Sequence, residues 1–568
     1  MPVHVRFRTF LPLILALCTC RGPAPREASP PTGVTRTHVW VDAAWWRPGD
    51  GSRERPLRSL AEALTRPGPL TVHLAMGTYT GPFSLPEGVR LEGQGPTSVL
   101  DVEGAEPLVL RAGQGAELAD LLVQGGSWGL EVTGGGRVRL ERVGFRGQRT
   151  GAVRVVAGRL EAEGARFDAA VSETTGVLLE GAFEEAEAGQ AGPGRVPQEV
   201  GAPLQRAPQD VGSPFPPDEA APATNGAGRV GQESAPREAA TRTSAQGAPG
   251  LSTQAAGAAP SQPVVPSEGP TARITGSSFT GPFRRAVRVR GVNARVELED
   301  VRFSGPVSAV GVDGGHAEVR RAVAEGGRGS AFSVVEGSML LEHVQVTGHE
   351  YGVSSMRARR IDVRDFTSVR AERAGLGLAQ SRGVLEGVVV RDSGAFGGIQ
   401  LVGGDMEVRR FTVEGAAEYG LTALQGKLRV RQGTITRVSS ADVAGDGLHL
   451  REMEADVEDV RVRDVAGTCV LAAQDSRVQL KDVELVGCRH AGILVETLAR
   501  VEARNVDVRG GGTALAALDN GRLRVEGLTA RQLVDGLVWA ECQGDTQVSL
   551  KQVRSEDVRG LSAPCVER

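Results

Sequence analysis

A unit of about 22 residues recurs along most of this chain, and that period limits its fold more than any other feature. Segments such as GLEV at 129–132, GVSS at 352–355, GLGL at 375–378, GLTA at 420–423, GLHL at 447–450, GILV at 492–495 and GLVW at 536–539 open units whose interiors also match. Equivalent starts lie at Ala286, Ala309, Ala331, Gly398, Cys469 and Ala514, and the steps from residue 286 onward are 23, 22, 21, 23, 23, 22, 27, 22, 23, 22 and 22. So regular a step marks a solenoid, in which one architecture absorbs a length that would otherwise suggest several globular domains.

Within a unit the apolar residues alternate. Leu130, Val132, Val138, Leu140, Val143 and Phe145 read as inward, while Glu131, Arg139 and Gly144 read as outward. Valine dominates and no part of the unit has helical spacing, so each unit is a coil of three short strands. Stacking such coils about 4.8 Å apart pairs every strand in parallel with those above and below. About sixteen coils from residue 107 to 560 predict a rod of roughly 75 Å at that spacing. A leucine-rich repeat has a similar period but expects a recurring inward Asn or Cys, and the chain has only Asn225, Asn293, Asn505 and Asn520.

At this level the chain resembles the right-handed parallel β-helix, or pectate-lyase-like, superfamily. The N-terminal part carries the resemblance further, through GDGS at 49–52, PLRSLAEAL at 56–64, GTY at 77–79 and LPEGVRLEGQG at 85–95. Leu57, Leu60, Ala61 and Leu64 fall on one face of a short helix with Pro56 near its first turn, suited to capping the open end of the stack. The expected fold is therefore all-β, a right-handed parallel β-helix solenoid with an N-terminal cap and first coils over 38–106. Further coils follow over 107–181, and coils with a C-terminal cap over 271–568.

Ahead of the cap, Arg6 and Arg8 precede a short apolar run at 10–17 (FLPLILAL) that ends at Cys18 and Cys20. This is the layout of an export signal over 1–20, too short to span a bilayer. A cysteine after such a run resembles a lipoprotein signal, with Cys20 ahead of Cys18 as the acylated residue. The Pro-rich stretch 21–37 suits a flexible tether. The expectation is an exported chain, either secreted or held at the outer membrane or cell surface by a lipid anchor alone. Cys469, Cys488, Cys542 and Cys565 remain, and export makes pairing of 469 with 488 and 542 with 565 plausible among three connectivities. Free thiols, or a metal held by Cys469, Cys488 and His490, are the alternatives.

A break interrupts the repeat. One coil opens at Gly176 and the next clear one at Ala286, yet 182–270 is rich in Ala, Gly, Pro, Gln and Ser with scarcely any apolar alternation. Such a composition predicts a disordered insert projecting from the side of the rod.

A formal net charge of -4, with acidic and basic residues interleaved, argues against nucleic acid as a partner. Only Lys427, Lys481 and Lys551 are lysines among 65 basic residues, a compositional bias that carries no chemistry. In enzymes that resemble this fold, active groups project outward from neighbouring coils. The outward position of the first strand reads Val109, Glu131, Arg154, Leu178, Arg288, Gly311, Ser333, Ser354, Gly377, Gln400, Thr422, His449, Leu471, Leu494, Ala516 and Val538. It holds no adjacent carboxylate pair of the kind that glycoside hydrolysis needs. On the second strand Glu297 and Glu318 are the best acidic neighbours, and in GDGLH at 445–449 Asp446 and His449 are a weak acid and base pair. The four residues Leu471, Leu494, Ala516 and Val538 form an outward apolar stripe, either covered by the chain itself or open to a partner.

No cofactor is expected, and calcium enters only if the chain is a lyase. The leading expectation is a non-catalytic surface scaffold or recognition protein with a polysaccharide or a cell-surface protein as partner. The alternative is a polysaccharide lyase or glycoside hydrolase acting on the outer face, with a site built by a loop such as 439–446.

Overall fold

The structure, a computed structural model, describes residues 36–182, 269–439, 445–559 and 563–568. They form an all-β parallel solenoid of about 17 turns spaced about 23 residues apart, with about 2% helix. One coil shows the plan. Its first strand is Trp128–Val132, its second Gly136–Glu141 and its third Gly144–Arg146. Each pairs in parallel with its counterpart one coil on, Leu130 with Val153, Val138 with Leu160 and Phe145 with Phe167.

The corner between second and third strands is turned by one residue in the left-handed region. It is Asp120, Arg142, Asp300, Arg321, Asp459 or Asn505 in some coils and Gly164, Gly387 or Gly527 in others. Asp and Asn tolerate this conformation better than most side chains. The corner side chains also meet between coils, as where Arg142 Nε and Nη2 donate to the two Asp120 carboxylate oxygens at 2.6 Å each.

Inward columns fill the rod. Phe145, Phe167, Phe279 and Phe303 stack with ring centroids 5.3, 4.4 and 5.2 Å apart, and each is fully buried. Phe167 and Phe279 are neighbours although the Ala/Gly/Pro-rich insert lies between them in sequence. The insert leaves after the first strand Thr175–Glu180 and returns at the second strand Thr271–Thr275 of the same coil. Both flanks meet at Asn293, whose Oδ1 accepts from Ala182 N at 2.7 Å while Arg295 N donates to Pro270 O at 3.0 Å. The rest of the insert, the leader with Cys18 and Cys20, the tether up to residue 35 and positions 440–444 lie outside the described residues.

The short N-terminal helix is narrower than the sequence suggests. It spans Leu60–Leu64, capped by Ser59 Oγ accepting from Glu62 N at 3.2 Å, and buries Leu60, Ala63 and Leu64. Ala61 faces solvent, and Leu57 instead bridges Val41, its N–H donating to Trp40 O at 2.9 Å. A backbone partner in the first strand therefore outweighs helical spacing for Leu57. Disulfides join Cys469 to Cys488 and Cys542 to Cys565.

The aromatic column yields a direct expectation. Phe279→Ala removes the ring that closes the stack across the insert and should cost about 3–5 kcal/mol. A fall in the urea midpoint at unchanged slope checks it, and a loss under about 1 kcal/mol would show that the column is not continuous there.

Candidate functional site

The outer face of the second sheet is a ladder of opposite charges. Arg137 meets Glu161 at 2.6 Å, Arg90 meets Glu117 at 2.8 Å, Arg320 meets Glu342 at 3.1 Å and Arg409 meets Glu386 at 2.8 Å. Glu297 and Glu318 belong to it. They are register neighbours, but Arg273 lies 4.0 Å from Glu297, and Glu318 has Arg320 at 2.9 Å and His316 at 3.6 Å. The arrangement neutralises them as members of a solvated ladder instead of isolating an acidic pair.

The outer face of the first sheet differs. Its column runs in register from Arg111 through Glu131, Arg154, Leu178 and Arg288 to Gly311, Ser333, Ser354, Gly377, Gln400, Thr422 and His449, then Leu471, Leu494, Ala516 and Trp539. Two sequence assignments change. Val109 is buried and Arg111 takes its place beside Glu131, while Val538 pairs with Leu515 inside the core and Trp539 takes the outward position. Runs of consecutive apolar residues such as Leu537 and Val538 leave the alternation without a marker, so the register there is set by pairing alone.

Leu471, Leu494 and Ala516 do point outward, but they are 9, 4 and 0% exposed. With Ala473, Ala491 and Leu518 they form a small core of their own, against which Trp539 packs. The stripe is thus covered and is not an open apolar surface.

Beside it stands the Asp446 and His449 pair. Asp446 Oδ2 lies 2.8 Å from His449 Nδ1, and its Oδ1 accepts from Thr468 N at 2.9 Å. The Tyr419 ring meets the imidazole edge-on at 4.9 Å between centroids. Burial pushes the Tyr419 hydroxyl and the Glu496 carboxyl up and the nearby His490 down from their usual ranges, while His449 and Arg451 pull Glu496 the other way. Cys469 and Cys488 are bonded to each other and offer His490 no thiolate. Among the described residues no group of three or more His, Cys, Asp or Glu side chains is placed to hold a metal ion.

The sequence reading missed a cleft of about 630 Å³ on this face, over Ser333 and Ser354. Two side chains lie across the sheet to form its ends. A Cβ at Gly311 would stand 2.8 Å from Arg285 Nε, and one at Gly377 would stand 2.9 Å from Tyr351 Cε1, so each glycine makes room for a side chain of the preceding coil. Arg285 is held by Asp313 at 3.4 Å, which also takes Arg288 at 3.1 Å. Burial lowers the Arg285 guanidinium from its usual range, with Asp313 opposing, and raises the Tyr351 phenol, with Arg373 opposing.

The rim comes from residues just ahead of the first strands. Four arginines (284, 285, 328 and 373) and two glutamates (173 and 350) line the cleft. Arg373 Nε pairs with Glu350 at 2.5 Å and its guanidinium sits 5.6 Å from the Phe396 ring centroid. Arg328 is exposed and has no ion pair among the described residues. Ser308 lines the cleft, is 8% exposed, and keeps Oγ shielded without a hydrogen-bond partner. The signal available in sequence was the run of Gly311, Ser333, Ser354 and Gly377, small residues in four successive outward positions.

No family model and no curated protein matches the sequence. Solved structures similar to it include the catalytic unit of a GH87 alpha-1,3-glucanase from Streptomyces thermodiastaticus, at 9% identity over 94% of this chain and 71% of that one, TM-score 0.25. The N-terminal fragment of bacteriophage phi29 gene product 12 follows at 8% identity, 83% and 87% coverage and TM-score 0.34. The A-module of the Azotobacter vinelandii mannuronan C-5 epimerase AlgE6 has 11% identity, 88% and 94% coverage and TM-score 0.25. The neighbours are parallel β-helix proteins. The fold assignment itself rests on this chain's own strand register.

The raised Glu496 carboxyl has a consequence for stability. The folded state favours its protonated form, so the ionised form works against folding in neutral solution, and that penalty fades as pH falls below the folded value and then through the usual carboxylate range. Glu496→Gln should therefore raise the thermal midpoint at about pH 7 and gain progressively less toward about pH 4. An equal gain at both ends of a midpoint series would remove burial of the charge as the cause.

Proposed function

We propose that this chain is an exported surface-recognition protein, a β-helix scaffold that holds a saccharide in the cleft between Arg285 and Tyr351 without cleaving it. The observation that carries the reading is the composition of that cleft. Its floor is Ser333 and Ser354, its walls supply guanidinium donors and a phenol ring, and Val307 and Met356 add apolar surface. Hydrogen-bond donors beside apolar faces are what a sugar ring requires, since it presents hydroxyls at its edge and C–H groups on its faces. Export is supported by the charged start, apolar run and Cys18 or Cys20 of the leader, which is sequence evidence alone.

A second reading, cleavage of a polysaccharide, is favoured by one arrangement. Asp446 engages His449 Nδ1, and no described residue partners His449 Nε2, which suits proton transfer. A lyase would add calcium, and its acidic ligands are not assembled among the described residues.

The discriminating experiment uses the full chain with a panel of acidic and neutral polysaccharides, with and without calcium. Recognition without chemistry predicts retention on at least one glycan, loss of retention in Ser333→Phe at unchanged thermal midpoint, and no new chain ends. Release of ends that disappears in His449→Ala would overturn the non-catalytic reading in favour of the second.

A further inference from the structure

Resting on the recognition reading, we infer that the cleft reads one short acidic saccharide unit, a chain end or side branch bearing a carboxylate or sulfate, and not a polysaccharide running along the rod. Two sets of observations lead there, one on charge and one on shape.

The cleft holds one cation more than its carboxylate partners take up. Four arginines line it, and of these Arg284, Arg285 and Arg373 are engaged by Glu173, Asp313 and Glu350 at 3.4, 3.4 and 2.5 Å. Arg328 has no such partner among the described residues, so a cationic group remains to be satisfied in the cavity. An anionic group on the ligand satisfies it.

The shape limits length. Gly311 and Gly377 are three coil steps apart, roughly 14 Å at about 4.8 Å per step. Arg285 lies across one of them and the Tyr351 ring across the other, so both axial ends are stopped by side chains over the sheet. The column is occupied beyond them as well. Toward the N-terminus Arg288 is tied to Asp313, Leu178 is 9% exposed, and Arg154 is tied to Glu180 at 2.5 Å. Toward the C-terminus Gln400 Oε1 is buried. A chain laid parallel to the axis would have to displace these groups, whereas a unit entering from solvent over Ser333 and Ser354 displaces none. A cavity of about 630 Å³ suits a ligand of roughly disaccharide size.

The test is calorimetric titration of the full chain with oligogalacturonates of one to six units, maltooligosaccharides of the same lengths, and galactose 6-sulfate, which separates sulfate from carboxylate. The expected result is binding of acidic ligands only, with affinity rising from one unit to about two and flat thereafter. Arg328→Ala should weaken it roughly tenfold or more at unchanged thermal midpoint. Ser333→Phe, which fills the floor without touching an ion pair, should abolish it. Affinity that climbs steadily to six units, or equal binding of neutral sugars, would overturn this inference and leave saccharide recognition standing. Binding of no ligand, together with no retention on any polysaccharide of the panel above, would overturn both.

Discussion

Every coil of this protein depends on in-register backbone pairing with the coils on either side, because a single turn of about 23 residues encloses no core of its own. Parallel pairing at a fixed register turns each position of the repeat into a column along the rod. The columns, more than individual residues, then decide what each surface is. An inward column becomes the stack from Phe145 to Phe303, and an outward one becomes either a charge ladder or a cleft. The tolerance for the long insert follows from the same rule. Once Thr175–Glu180 and Thr271–Thr275 have found their register partners, the coil is complete without the residues between them.

The two sheets put that rule to different uses. On the second sheet, opposite charges on successive coils, as in Arg137 with Glu161 or Arg320 with Glu342, satisfy one another. Each such exposed pair adds little stability, and the partners neutralise one another along that face. On the first sheet the column from Gly311 to Gly377 is small, and the space above it is taken by Arg285 and Tyr351 reaching diagonally from the coil before. Small residues therefore do two things there: they lower the floor at Ser333 and Ser354 and let long side chains lie flat as walls at either end.

Much of the fold was legible because period and alternation are linear properties. The step near 22, the inward set around Leu130 and Phe145, and the outward column through Ser333 and Ser354 can all be read without knowing any contact. What could not be read was diagonal. Arg285 and Tyr351 stand three residues ahead of the outward position, and only the structure shows that each bends over the following coil. The adjacency of Glu297 and Glu318 was legible, but the Arg273 and Arg320 that neutralise it belong to neighbouring positions in the ladder. The slips at Val109 and Val538 occurred where consecutive apolar residues erase the alternation, and the helix shortened where Leu57 found a strand partner. Within the candidate site, the charge on its rim comes from turn residues such as Arg328 and Arg373, which no periodic pattern singles out.

The spacing of the columns also bears on how the cleft and the Asp446 and His449 pair relate in one rod. Ser354 and His449 are four register steps apart along the same face, roughly 19 Å at about 4.8 Å per step. Tyr351 and Gln400 stand between them, so a short ligand seated over Ser354 does not touch the Asp446 and His449 pair. Because each coil draws its stability from its immediate neighbours, the two places can differ in composition without strain passing between them. The cleft therefore owes nothing to the Asp446 pair, and the proposed saccharide recognition needs only the coils that carry Arg285, Ser333, Ser354 and Tyr351.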